Sequence, residues 1–351
     1  MTYISERNFN KLLEILKKDY NVYVPVKKGL QRFYKRYEEP SDDILVNEVR
    51  PVEPLKIFFT RSRENVAQGF KPESPHALDK PFAIVGVKAC DLKGFKIQDF
   101  VFSAKGGSDS GGKNHDYPDA SYNKNREQNL VIGADCTCAI DTCFCLALGI
   151  KPYPKEDYDI NLSGLKGGFA VEAGSEKGRA LLNRHSGLFE KAKETHEQEK
   201  NRQRDVVTKE VQANIEKYSI PHQDLYNGIV ERNYEGPIWS DEVKACVECG
   251  ACTIICPTCH CFLLYDQMDK DQMARMRIWD SCMFKGYAKV AGGANPRPKL
   301  FMRLRNRFEK KFDFFPKVAN IYACTGCGRC VSACPAKIDI RKVLKRLVSN
   351  A

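Results

Sequence analysis

The chain has 351 residues, 42% of them hydrophobic, and carries a formal charge of +11 from 56 Lys+Arg against 45 Asp+Glu. That composition suffices for ordinary cores, and no apolar stretch approaches the roughly 18–20 residues of a membrane helix, which excludes a membrane span. The basic balance raises nucleic-acid binding, but 16 cysteines offer another reason for positive charge, because thiolate-bound metal clusters are anionic and need balancing.

Disulfides do not explain so many cysteines. The opening Met1–Arg7 lacks a basic region followed by an apolar run, so the expectation is a cytoplasmic protein in a reducing compartment that keeps thiols free. Metal is then the better account, and thiolate chemistry in such number points to an anaerobic setting.

Taken in chain order, Ser5 caps a helix whose Phe9, Leu12, Leu13 and Leu16 fall on one face. Strands are predicted at Val22–Val26, Lys56–Thr60 and Phe82–Val87. The last is a continuous apolar run, the pattern of a buried strand, and it delivers Cys90 and Asp91 at its end. Residues 103–119 are rich in Gly, Ser and Asp and read as a surface loop containing His115; they form no phosphate-binding fingerprint.

A fourth apolar run, Asn129–Gly133, leads into Cys136, Cys138, Cys143 and Cys145. Four of these five N-terminal thiols, with Cys90 supplied from a neighbouring strand end, suit an iron–sulfur cube, a four-thiolate zinc site, or inert packing. The spacing leaves those three readings open.

Strands at Tyr158–Leu162 and Gly168–Glu172 close the N-terminal sheet. From about Gly187 to Asn227 a charged helical connector carries a weak stripe of Val206, Val207, Val211 and Ile215; its His196 and His222 have no ligand neighbours in the sequence. Trp239 marks the entry to the next domain.

The most informative stretch is Cys246-Val-Glu-Cys249-Gly-Ala-Cys252-Thr-Ile-Ile-Cys256-Pro257, and its spacing returns as Cys324-Thr-Gly-Cys327-Gly-Arg-Cys330-Val-Ser-Ala-Cys334-Pro335. Each run is C-x2-C-x2-C-x3-C-P, in which three close thiolates bind one [4Fe–4S] cluster and the fourth reaches the other. Cys246, Cys249, Cys252 and Cys334 are thus predicted to bind cluster 1, and Cys324, Cys327, Cys330 and Cys256 cluster 2. A pair of zinc sites would more usually show C-x2-C pairs separated by a longer loop. Gly250, Ala251, Gly326 and Gly328 allow close backbone approach to sulfides, or serve turn geometry alone.

Between the runs, Asp266–Met276 and Lys299–Phe308 hold helix formers, so a mostly helical two-cluster domain is expected, closed by a helix with Ile340, Val343, Leu344 and Leu347 on one face. Cys259, Cys261 and Cys282 remain unassigned. Packing or a supporting role is favoured over ligation, and His260 either donates to a cluster sulfur or faces solvent.

Three segments carry a family resemblance: Val85–Leu92 with Cys90; Asp135–Cys145 running on to Tyr158-Asp-Ile; and Cys246–Phe262, with Trp279-Asp-Ser-Cys282 and Cys324–Pro335. Across most of its length the chain resembles the iron–sulfur beta subunits of sulfhydrogenases and their iron–sulfur counterparts in anaerobic sulfite reductase, and similar chains occur in flavin oxidoreductase complexes working with heterodisulfide reductase. The resemblance implies Cys90, Cys136, Cys143 and Cys145 as ligands of a third [4Fe–4S] cluster, with Cys138 as the alternate. It also implies an electron-transfer subunit. Its partners would be a flavin subunit that binds NAD(P)H and a catalytic subunit of hydrogenase, sulfite reductase or heterodisulfide reductase type.

The expected fold is α+β: a mixed α/β domain over 1–186, the connector over 187–236 and the helical dicluster ferredoxin domain over 237–351. No catalytic acid, base or nucleophile stands out, and no flavin or nucleotide is expected on this chain alone. The first run is expected in the middle of the electron path. Rival readings are a catalytic reductase subunit with an open-coordinated N-terminal cluster and a zinc-stabilised nucleic-acid-binding protein.

Overall fold

The computed structural model describes residues 1–69, 71–72, 80–103, 118–269 and 272–350. The Gly-, Ser- and Asp-rich stretch lies outside them apart from its ends, and so does His115.

The strands are β1 (Thr2–Ser5), β2 (Asn21–Lys28), β3 (Gln31–Arg36), β4 (Arg63–Gln68), β5 (Lys71–Pro72), β6 (Phe82–Val87), β7 (Leu130–Ala134), β8 (Ile160–Leu165), β9 (Gly168–Ala173), β10 (Glu190–Lys191), β11 (Phe262–Asp269) and β12 (Gln272–Trp279). Eight form one mixed sheet in the order β10-β1-β9-β8-β7-β6-β2-β3. Its middle strands β2, β6, β7 and β8 run parallel.

Side chains alternate across that sheet, as the pleat requires. Ala83, Val85, Leu130 and Ile132 pack with Phe9, Leu12, Leu13 and Leu16 of the helix Glu6–Leu16. Ile84, Val87 and Val131 pack on the other side with Leu92 and Phe95 of the helix Ala89–Phe102. Burial on both faces accounts for the continuous apolar runs. The pairing of β6 with β7 slips between Val85 and Val87, at Gly86 with φ +79°. This bulge turns the end of β6 toward Cys90.

The segment Lys56–Thr60 is a short 3-10 turn at Leu55–Phe58 rather than a strand. Leu55, Phe58 and Phe59 all enter the same core. A strand would have sent alternate members of that run to opposite faces.

A second correction concerns the segment between the two cysteine runs. Residues 262–269 and 272–279 pair as the antiparallel strands β11 and β12, which extend through β4 into a four-stranded sheet ordered β11-β12-β4-β5. The Gln, Met and Arg residues there favour a helix locally, but a pairing edge supplied by residues 63–68 overrides that propensity. Asp266 lies opposite Arg275 and bonds it at 2.7 Å; Arg277, opposite Glu64, bonds it at 2.8 Å.

Helical structure begins further on, at Leu300–Glu309, and continues through a π-helical turn at Lys310–Phe314 into Phe315–Ala319. The largest core joins Phe144, Cys145 and Ala147 to Val211 of the long helix Glu194–Tyr218, to Trp239, and to Leu304, Phe308, Ile340, Val343, Leu344 and Leu347. Among the described residues, no helix is long and apolar enough to cross a membrane.

Candidate metal centres

The first cysteine run is a loop entering the short helix Ala251–Ile254 through Gly250, whose φ of +71° suits a residue without Cβ. Cys246, Cys249 and Cys252 line a cavity of about 570 Å³ together with Cys334 from the second run. Met283, Leu304, Phe308 and Ile340 supply its apolar wall. The structure therefore brings together the four thiols predicted for cluster 1, including the one from the other end of the dicluster segment.

The second run repeats the arrangement, with Gly326 at φ +61° and Gly328 at φ +69° before the helix Arg329–Ala333. Burial pushes the Cys324 thiol up to about 12, and the neighbouring Cys330 and Cys256 add to the shift. Burial likewise pushes Cys330 up to about 11, with Cys327, Cys256 and Cys252 nearby. The four thiols predicted for cluster 2 are thus gathered as neighbours.

The ends of the adjacent parallel strands β6 and β7 position the N-terminal thiols, the usual place for sites on such sheets. Cys90, Cys136, Cys138, Cys143 and Cys145 line one cavity of about 380 Å³, together with Cys327 from the second run. Burial pushes Cys136 up to about 12; Lys88 counters the shift, and Cys143 is the thiol that adds most to it. Cys145 is raised by burial and then by Cys143 and Cys136. Cys138 differs: after burial, the largest influences on its thiol are the Val49 backbone, Glu48, Arg32 and Glu210, although it also acts on Cys136.

The second run presses directly on this loop. Phe144 N–H donates to Gly326 O at 2.9 Å, and a Cβ on Gly326 would stand 2.5 Å from Cys145 Cα. Cys330 lines the first run's cavity while Cys327 lines the N-terminal one. The second run, not the first, lies between the other two thiol sets.

The three remaining cysteines also gather. Cys259, Cys261 and Cys282 line a cavity of about 680 Å³. Hydrogen bonds from Cys282 and Tyr287 pull Cys261 down to about 6. His260 is half-buried, its Nδ1 lies 3.1 Å from Thr258 O, and desolvation pulls it down to about 4.

No local pattern announced the buried cations that accompany these thiols. Lys311, in the π-helical turn, donates to Cys256 Sγ at 3.3 Å, Thr258 Oγ1 at 2.9 Å and Ala323 O at 2.7 Å. Burial works against the charge of Arg307, and Cys252, Cys330, Cys259 and Cys256 would support it when held as thiolates. Lys88 reaches Val46 O at 2.7 Å beside Cys136, and Lys56 reaches Cys259 O at 2.9 Å. π-helical turns recur at functional sites, and the excess of basic residues in the composition was the one available signal.

The residues fit iron–sulfur clusters. As free thiols, Cys324, Cys330 and Cys136 would stay protonated at neutral pH, so a bound metal is what would hold them as thiolates. Among the described residues, Arg307 Nε, Arg329 Nη1 and Thr325 Oγ1 are buried without a protein partner, and such donors suit the sulfur atoms of an anionic cluster. No three His, Cys, Asp or Glu side chains among the described residues converge closely enough to hold a single ion, whereas cavities bordered by spaced thiols suit a polynuclear group.

Fold and thiols together define an iron–sulfur protein of the dicluster class, and residues 245–338 match the family model described as a 4Fe-4S dicluster domain. The whole chain is similar to sulfhydrogenase 2 subunit beta of Pyrococcus furiosus, with 32% identity over 340 residues, covering 96% of this chain and 93% of that one. The chain belongs to the family of iron–sulfur sulfhydrogenase beta subunits. No solved structure matches it.

Proposed function

We propose that the chain relays electrons between a flavin subunit that binds NAD(P)H and a catalytic subunit in a redox complex. Its role as an electron-transfer subunit follows from the family and the dicluster domain; the partners are our inference. Two [4Fe–4S] clusters belong to the dicluster domain, and we assign them to Cys246, Cys249, Cys252 and Cys334, and to Cys324, Cys327, Cys330 and Cys256. A third is assigned to Cys90, Cys136, Cys143 and Cys145.

The carrying observation is that one short loop borders both other sites, with Cys330 on one side and Cys327 on the other. When bound, iron–sulfur cubes supply one-electron redox chemistry over a wide range of potentials. The chain's own residues hold the sites adjacent, exclude water with an apolar wall, and set the local charge through Lys311, Arg307, Lys88 and Arg329. Cys249 is exposed, which makes the first run the natural docking end for one partner and the N-terminal site the other terminus. The relay is placed in the cytoplasm.

The test is anaerobic purification of the native complex, followed by addition of NADH or NADPH. A flavoprotein is expected to co-purify, and the nucleotide is expected to bleach the iron–sulfur absorbance of this chain. A native preparation with neither flavoprotein nor flavin would remove the relay reading.

A further inference from the structure

We propose that Cys259, Cys261 and Cys282 form a further iron–sulfur site, holding a [4Fe–4S] cluster by three thiolates and a non-cysteine fourth ligand. The three side chains come from separated places: two from the loop that follows the first run, one from the turn after β12. The end of the β11–β12 pair joins them, where Phe262 pairs with Trp279 and Asp280 N–H donates to Cys261 O at 2.9 Å.

The site is built rather than incidental. Three buried side chains pin the loop that carries Cys259. Gln98 Nε2 donates to Pro257 O at 2.9 Å, Lys56 Nζ to Cys259 O at 2.9 Å, and Thr258 Oγ1 to Ala323 O at 2.8 Å. Lys56 also lies 4.4 Å from the centre of the Trp279 ring. A loop that only packed would not require two side chains from the N-terminal half to fix its carbonyls.

The surroundings suit an anionic group. Arg297, Arg307, Lys310 and Lys311 line the cavity with the three thiols, and among the described residues no carboxylate does. It is the roomiest of the three thiol-lined cavities, ahead of those at the first-run and N-terminal sites. The next nearest thiol, Cys256, hydrogen-bonds Cys259 as well as Lys311 and Thr258, but it is already assigned to the second run's set. The fourth position therefore falls to a group from the cavity; Tyr287, which hydrogen-bonds Cys261 and lines the cavity, is one oxygen ligand within it. Lys311 faces both Cys256 and Cys259, which places this site as a side branch of the path at the second run.

The experiment compares the anaerobically purified full chain with the double variant C261S/C282S. The variant is expected to lose about four irons and four labile sulfides per chain while keeping the EPR signals of the dicluster domain, which reports that it has folded. An unchanged iron count, or zinc lost in place of iron, overturns the proposal.

Because the variant could misfold, the unaltered protein supplies an independent reading. Native thiol alkylation with mass-spectrometric mapping, before and after the clusters are stripped by oxidant and chelator, should show Cys259, Cys261 and Cys282 protected only before stripping. Equal labelling in both states overturns the proposal. Neither measurement depends on the flavin partner, and a C143S control reports separately on the N-terminal site.

Discussion

Arg329 and Asp91 form an ion pair at 2.7 Å in which both side chains are wholly shielded from solvent. Arg329 stands between Cys327 and Cys330, and Asp91 follows Cys90, so the pair joins the second run to the N-terminal thiol site. The same guanidinium donates to the Pro51, Val52 and Glu53 carbonyls, and Asp91 accepts from Leu55 N–H at 3.2 Å. Asp91→Ala would leave a buried charge without its counter-ion and is expected to cost about 3–5 kcal/mol in anaerobic urea denaturation. An apolar pair, Asp91→Leu with Arg329→Met, is expected to recover only part of that loss, because the Pro51, Val52 and Glu53 carbonyls and Leu55 N–H lose their partners. An Asp91→Ala protein as stable as the parent would show that the pair is dispensable.

All five N-terminal thiols border one cavity, and Cys138 is the one whose surroundings are dominated by charged side chains and the Val49 backbone. Cys143→Ser is expected to lower the iron content by roughly four per chain, while Cys138→Ser leaves it unchanged. Iron and sulfide analysis on the same preparations decides the matter, and the opposite pattern would exchange the roles of the two residues.

Lys311 places a buried ammonium 3.3 Å from Cys256 Sγ. A positive charge and a hydrogen bond at a ligand sulfur favour the reduced, more negative state of a cluster, so Lys311→Met should lower the potential of the second-run site. Losing a charge-assisted hydrogen bond of about 1.5 kcal/mol corresponds to about 60 mV for a one-electron couple. An EPR-monitored redox titration reads the shift; a rise in potential would reverse the proposed role of Lys311.

Gly328 combines φ +69° with a position where a Cβ would collide with the Thr142 carbonyl. Gly328→Ala therefore meets a left-handed backbone cost of about 1–2 kcal/mol and forces the second run away from the Cys143 loop. Lower thermal stability and partial loss of the N-terminal iron are expected. Gly187→Ala, where no atom lies within 4 Å of the added carbon, should be nearly neutral in the same thermal melts.

Local signals carried much of this in the sequence. The cysteine spacing identified both runs, and the apolar runs marked β6 and β7. Ser5 does cap the first helix, accepting from Asn8 N–H at 3.3 Å, and Ile340, Val343, Leu344 and Leu347 are all buried. What escaped was long-range. The strand character of 262–269 and 272–279 depends on β4, far away in the chain. The gathering of Cys259, Cys261 and Cys282 depends on that strand pair in turn. Burial of Lys56, Lys88, Arg307 and Lys311 could not be read locally, since such side chains usually face water.

The sheet that joins β12 to β4 bears on how electrons would move. Backbone hydrogen bonds cross between the N-terminal half and the segment linking the two runs, and the Gly326 contact ties the same halves a second time. Neither connection is a hinge. Spacing between the redox sites is then fixed by covalent and hydrogen-bond geometry, not by diffusive swinging of one part toward another. Passage inside the chain should be indifferent to solvent viscosity, leaving the encounter with partner subunits as the step that viscosity and ionic strength can slow.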